Sequence, residues 1–216
     1  MCINQMGVDM IYEMRTYNFF PGGLAQFEEG FARDIPHRLK YSKLGALWRT
    51  EIGPLNQAIH VWPYRDMQHR SEVRATAEKD PHWAGPRAPF EVYAGTEMEI
   101  YNPAPFMRPW GDDQELGNVY EMRTYTYEPG GIPKVLAAWG DAVPRREEYS
   151  PLAACWTTEL GALNRFTHVW VYKDLNERDR VRADARQAGA WPPSAGVSPI
   201  RQENKVLIAA PFSPVK

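Results

Sequence analysis

The chain carries one sequence twice, and that duplication limits what it can fold into more than any other feature. Ile11-Tyr12-Glu13-Met14-Arg15-Thr16-Tyr17 recurs 108 positions later as Val119-Tyr120-Glu121-Met122-Arg123-Thr124-Tyr125. The register holds without a gap from Pro21-Gly22-Gly23 to Pro129-Gly130-Gly131. It continues through Trp48, Glu51, Gly53, Asn56 and His60 to Trp156, Glu159, Gly161, Asn164 and His168, then from Val73-Arg74-Ala75 to Val181-Arg182-Ala183. Only near the end does it slip, where Pro105-Phe106 matches Pro211-Phe212 at an offset of 106. Two copies are too few for a solenoid, whose units bury their faces by stacking in series. The chain is therefore a duplicated domain.

Each copy reads alike. Glu13 to Tyr17 alternates with the two-residue period of a strand, and Pro21-Gly22-Gly23 turns the chain out of it. Leu24, Phe27, Phe31 and Ile35, repeated as Ile132, Val135, Trp139 and Val143, share one helix face. Pro36 and Pro144 fall at matching points and predict a kink or a new first turn. Leu47 to Ile52 and Trp156 to Leu160 form a second strand. A turn at Gly53-Pro54-Leu55-Asn56 makes a hairpin with a third, which carries His60, Trp62 and Tyr64 at alternate positions, as its copy carries His168, Trp170 and Tyr172. Asp66 and Asp174 stand as N-caps of a second helix, Asp174 with Glu177 in a capping-box pattern. A last strand runs near Thr96 to Tyr101 and near Gln202 to Ile208. The order is β-α-β-β-α-β, so the expected fold class is α+β, as tandem ferredoxin-like repeats. The expected divisions are an N-terminal extension at 1–9, a first repeat at 10–106, a linker at 107–117 rich in proline, and a second repeat at 118–216.

Composition excludes several functions. A formal net charge of −2 with scattered Lys and Arg offers no basic stripe for nucleic acid. No apolar run approaches the roughly 20 residues that span a bilayer, so no membrane partner is expected. Met1 to Asp9 lacks the basic start and apolar middle of a signal peptide, and Cys2 with Cys155 makes no disulfide framework. A cytoplasmic setting follows. The 8 Trp and 11 Tyr are unusual and imply a bulky core or a lined cavity.

Alternation assigns the candidate site. Met14 suits an apolar helix better than its neighbours do, so Glu13, Arg15 and Tyr17 are expected on the opposite face, away from the helices. By the same argument Ile59 and Val61 meet the helices, while His60, Trp62 and Tyr64 look away, with Arg49 and Glu51 able to join them. The second copy supplies Glu121, Arg123, Tyr125, Glu159, His168, Trp170 and Tyr172. His is the side chain whose ordinary pKa suits proton transfer near neutrality, so His60 or His168 is the candidate to move a proton. Arg15 or Arg123 is the candidate to hold a developing oxyanion. The aromatic residues, with Glu13, Glu51 and their copies, are substrate-binding candidates. A second reading stays open: Glu13 with Arg15, or Glu51 with Arg49, are mutually satisfied ion pairs, and the histidines are hydrogen-bonded structural residues. His60, His168, Glu13 and Glu51 contain metal-ligand types, and His60, His168 or His82 could sit axial to haem. No compact spacing assembles such a site, so neither metal nor cofactor is expected. The copies differ at Arg49/Thr157, Gln57/Arg165, His37/Arg145 and Leu39/Glu147, as one asymmetric site or drift in one copy would allow.

Tyr-Glu-Met-Arg-Thr-Tyr, Leu-Asn-x3-His-Val-Trp-x-Tyr-x-Asp and the terminal Pro-Phe, each in duplicate, resemble the NIPSNAP family of the dimeric α/β-barrel superfamily. The resemblance covers the chain apart from the extension and linker. It implies two ferredoxin-like sheets that face each other as a barrel with helices outside. Under that architecture the alternating polar face lines the barrel lumen. The expected function is binding of a small organic molecule there, with cofactor-independent chemistry on an aromatic or polyketide-like substrate. The alternative is a non-catalytic oligomeric adaptor. Open sheet edges, or the aromatic segments near Phe106 and Phe212, are expected to close a homo-oligomer.

Overall fold

In the computed structural model, which describes residues 10–110 and 112–216, the duplicated sequence folds as two β-α-β-β-α-β units. The expected extension at 1–9 lies outside the described residues. The first unit comprises β1 (Ile11–Phe19), α1 (Gly23–Arg38), β2 (Ala46–Ile52), β3 (Gln57–Tyr64), α2 (Met67–Ala77) and β4 (Tyr93–Pro103). The second repeats it as β5 (Val119–Thr126), α3 (Gly131–Glu147), β6 (Leu152–Leu160), β7 (Arg165–Tyr172), α4 (Leu175–Gln187) and β8 (Arg201–Ala209).

Local chemistry sets the boundaries. Gly22 and Gly130 hold φ of 86° and 82°, a left-handed turn that glycine enters without a Cβ clash. Asn56 and Asn164, at φ 54° and 57°, close the two hairpins. Asp66 accepts a hydrogen bond from the His69 amide at 2.7 Å, and Asp174 accepts one from Glu177 at 2.8 Å. Glu177 reaches back to the Lys173 amide at 2.5 Å rather than to the cap residue itself. Pro36 and Pro144 do not interrupt their helices, contrary to expectation. Each lies within the last turn, where a missing N–H removes one bond and little helix remains to be redirected.

The strands close in the order β1-β3-β2-β8-β5-β7-β6-β4, every neighbour antiparallel. The edges of the two sheets meet within the chain, β2 on β8 and β4 on β6. The sheet edges expected to recruit a second chain are thus used internally. The Pro-Phe segments also cross between repeats. Phe212 stacks on Phe31 of α1 with centroids 5.8 Å apart, and Phe106 packs among the residues buried beneath α3.

The barrel interior is a packed core. Tyr12, Met14, Trp48, Ile59 and Val61 meet Tyr120, Met122, Trp156, Val169 and Val171 there. Trp110, from the segment joining the repeats, enters the same core. Its ring lies edge-on to Tyr12, Trp48 and Trp156 at 5.7, 5.8 and 5.3 Å, and its indole N–H donates to the Ala153 carbonyl at 2.8 Å. Gln57 accepts from Lys205 at 2.8 Å, and Arg165 pairs with Glu99 at 3.2 Å.

This packing overturns the expected faces. Ile59, Val61 and Met14 fill the barrel, whereas His60, Trp62, Tyr64 and Tyr17 lie between the first sheet and its helices. An eight-stranded barrel is only wide enough for its own side chains, and two sheets meeting there need apolar, close-fitting residues. The charged face is met instead by helices that carry complementary arginines. Residues that share a strand face were therefore grouped correctly, but on the wrong side of the sheet.

Candidate functional site

Each repeat holds a cavity between its sheet and its helices. The first, of about 710 Å³, is lined by Arg15 and Tyr17 of β1, Phe27, Phe31 and Arg38 of α1, His60, Trp62 and Tyr64 of β3, and Arg74 of α2. The segment from Trp83 to Tyr93 forms its outer wall and leaves it open to solvent beside exposed Phe90. Arg87 pins that segment to α1. It bonds Asp34 at 2.5 Å and the Gly85 carbonyl at 2.5 Å, and its guanidinium lies 4.2 Å over the Trp83 ring. Gly30 of α1 makes the close approach possible, because a Cβ there would meet the Arg87 carbonyl oxygen at 1.8 Å.

A carboxylate organises the floor. Glu13, fully buried, accepts from Arg15 at 2.9 Å and Arg74 at 3.3 Å, and pairs closely with Arg70. Glu121 repeats the arrangement with Arg178 at 2.7 Å, Arg182 at 3.2 Å and Arg123 at 3.4 Å. Three guanidiniums around one carboxylate leave positive charge directed at the cavity.

Arg38 adds to it. It is 3% exposed and bonds Ser42 at 2.8 Å and the Tyr64 hydroxyl at 3.0 Å, while its guanidinium lies 4.3 Å over the Trp62 ring. All three partners are neutral, and burial pulls its pKa down. A buried cation without a carboxylate partner is costly unless something completes it.

His60 is the polar group at the centre. Its Nδ1 accepts from the Trp62 indole N–H at 2.7 Å, and its Nε2 is buried with no partner. Burial, reinforced by Arg15, Arg74 and Arg38, drives its pKa well below the ordinary value. The ring is therefore neutral, and with Nδ1 accepting, its proton must sit on Nε2. His60 presents an N–H donor.

The second cavity, about 370 Å³, is lined by Arg123, Tyr125, Trp139, Arg146, His168, Trp170, Tyr172, Arg182 and Trp191. The site residues expected from sequence thus divide between two separate cavities rather than one lumen, with Glu13 and Glu121 behind the linings. Glu51 and Glu159 join neither. Both are exposed, and Glu159 accepts from Asn102 at 2.7 Å. The expected Glu13–Arg15 pair exists, while Arg49 pairs with Glu28 at 3.9 Å rather than with Glu51. His82 is exposed and stacks on His37 at 4.4 Å. Among the described residues no group of three or more His, Cys, Asp or Glu could hold a metal, and no helix is long and apolar enough to cross a membrane. Sequence reasoning missed Arg38, Arg70, Arg74 and the helix aromatics. Their signal was recurrence of each arginine at the same offset, as Arg146, Arg178 and Arg182.

The NIPSNAP family model matches this chain twice, over residues 12–108 and 120–214. Protein NipSnap homolog 3A of Homo sapiens is 31% identical over 222 residues, covering 96% of this chain and 86% of the relative. Protein NipSnap homolog 3B of Mus musculus is 31% identical over 229 residues, covering 95% and 85%. A monooxygenase-like protein of Fusobacterium nucleatum has a similar solved structure, with a TM-score of 0.64 over 94% of this chain and 93% of that one. At 10% identity that likeness speaks for the barrel fold alone.

Proposed function

The chain belongs to the NIPSNAP family, and from that premise we propose that it binds a small organic molecule in the first-repeat cavity, beneath the helices. The ligand class is an aromatic or polyketide-like compound with a polar oxygen, handled by cofactor-independent chemistry. One observation carries the reading: His60, whose Nε2 is buried without a partner, lines the same aromatic-walled cavity as Arg15 and Arg38. An N–H donor and two cations suit an oxygen that gains negative charge, as in an enolate or phenolate. Arg15 and Arg38 hold that charge, and the neutral His60 ring donates a hydrogen bond to the same oxygen from its Nε2–H. Tyr17, Phe31, Trp62 and Trp83 give flat surfaces for a ring. The volume falls within the range of small-molecule sites.

The adaptor alternative expects the polar groups of the alternating face to be structural and paired. The lumen is packed, but the unpartnered groups lie in an open cavity elsewhere, which favours a ligand. The homo-oligomer expectation loses its motive in open edges, because both sheets are completed within the chain. The chain finishes its own barrel, and light scattering should report the 24.8 kDa of one chain. A reducing, cytoplasmic setting accords with Cys155, which is free and buried.

The test is native mass spectrometry of protein taken directly from its host, beside the Arg15→Gln and His60→Phe variants. A retained organic molecule carrying a ring and an oxygen, lost in both variants, supports the reading. A wild-type mass with nothing retained, and no shift on adding simple naphthols, sinks it.

A further inference from the structure

The two cavities are not equivalent. Position 78, at the mouth of the first, is Glu, and it draws off Arg74 at 3.1 Å. Its counterpart 108 positions on is Arg186, which lines the second cavity. One substitution between copies thus removes a carboxylate from the mouth and adds a cation. The charged residues that line the second cavity are Arg123, Arg146, Arg182 and Arg186, and no carboxylate joins them among the described residues. Glu121 lies behind and is already shared among Arg123, Arg178 and Arg182.

Two further groups await a partner there. Arg146 is 2% exposed, and its hydrogen bonds go to the neutral oxygens of Ser150 at 3.0 Å and Tyr172 at 3.3 Å. His168 is 2% exposed, and neither ring nitrogen has a partner. It differs in this from His60, whose Nδ1 is occupied by Trp62. A neutral imidazole always keeps one N–H to donate. Indole rings form the walls: Trp139 lies edge-on to Trp191 at 4.5 Å, and Trp170 lies edge-on to Trp191 at 5.3 Å.

We propose that the second-repeat cavity is a separate binding site for a small planar organic carboxylate. The guanidinium fork matches a carboxylate with two parallel hydrogen bonds, and it stays charged at any working pH. The indole rings take the planar body, and about 370 Å³ suits a single ring rather than the larger molecule the first cavity admits. The mouth arginine attracts the anion, whereas Glu78 in the first repeat would oppose it. This site stands on its own residues and does not depend on what fills the first cavity.

Isothermal titration with benzoate, phenyl phosphate, inorganic phosphate and benzyl alcohol tests it on the full chain. Benzoate is expected to bind one per chain, with benzyl alcohol and inorganic phosphate weaker. Arg186→Glu, an exposed change that spares the core, should weaken benzoate by about tenfold or more, as a reversed charge beside a partly buried anion does. Glu78→Arg, in the other repeat, should leave that binding unchanged. Circular dichroism confirms that both variants fold. Benzoate affinity that ignores Arg186→Glu, or responds only to Glu78→Arg, overturns the assignment. So do equal affinities for benzoate and benzyl alcohol, a preference for phenyl phosphate, or no binding of benzoate.

Discussion

Trp62 donates its indole N–H to Nδ1 of His60 at 2.7 Å, and this one bond decides what His60 can offer a ligand. It fixes the tautomer with the proton on Nε2. Trp62→Phe removes the donor while keeping the aromatic wall. In the variant, 15N chemical shifts of the His60 ring should change from a pure Nε2–H pattern to a mixture of tautomers. Stability should fall by about 1–2 kcal/mol, since a buried acceptor loses its bond. Trp170→Phe in the second repeat should leave the His168 tautomer pattern as it was, because neither His168 nitrogen has a partner. Unchanged His60 shifts in Trp62→Phe would remove the basis for reading it as a donor.

The two buried histidines also set an acid limit on the fold. Burial first, then Arg15, Arg74 and Arg38 around His60 and Arg123, Arg182 and Arg146 around His168, hold both pKa values well below the ordinary one. Below about pH 6.5 the unfolded chain takes up a proton at each histidine and the folded chain does not. Stability therefore rises with pH through this window and falls as pH drops from 6.5 toward 5, by about 1.4 kcal/mol per pH unit for each histidine. Thermal melts at pH 7.5, 6.5 and 5.5 should show the loss. Replacing one of the pair, as in His168→Gln, should roughly halve the slope, and an unchanged slope would refute the assignment.

Glu13 and Glu121 are the anchors of their repeats. Each accepts from three arginines while fully buried. Glu13→Gln keeps the shape but strips the charge that holds three guanidiniums, and it should cost about 3–5 kcal/mol. Glu121→Gln should cost a similar amount. The two carboxylates share no partner, so urea unfolding of the double variant should give close to the sum. A loss below 1 kcal/mol for Glu13→Gln would mean the arginines find other acceptors.

Repetition and alternation placed His60 with Trp62 and Glu13 with Arg15, because a period of two or 3.6 is a property of one element. Which face met the helices was not a property of one element. It depended on the barrel interior, where Trp48, Trp156 and Trp110 pack from three separated segments. Met14 looked like a helix neighbour because apolar residues suit either side. The arginines of α2 supplied the missing clue, since Arg70 and Arg74 recur as Arg178 and Arg182 on a helix with little apolar surface. A helix that sends repeated cations toward a sheet marks the charged face as its own. Glu51 and Glu159 misled because alternation puts them in phase with the site without saying where the strand leaves its cover.

Trp110 offers the sharpest test of the barrel core. It comes from the segment expected to be a plain linker, yet it is 4% exposed and lies within 6 Å of three other aromatic rings. Gly45 makes room for it, since a Cβ at that position would sit 2.6 Å from Cε3 of the Trp110 ring. The ring is wedged among Tyr12, Trp48 and Trp156 and cannot swing aside without opening the core. Gly45→Ala should therefore cost about 1–3 kcal/mol through overpacking. Trp110→Ala should cost about 3–5 kcal/mol through the void it leaves. In the double variant the small side chain at 110 relieves the clash with the ring and leaves only the Val61 carbonyl oxygen, 3.0 Å from that Cβ, so the Gly45→Ala penalty should shrink markedly against the Trp110→Ala background. A double-mutant cycle from urea unfolding measures that coupling. Simple additivity of the two penalties would mean that Gly45 and Trp110 do not meet, and that the linker does not pack into the barrel core.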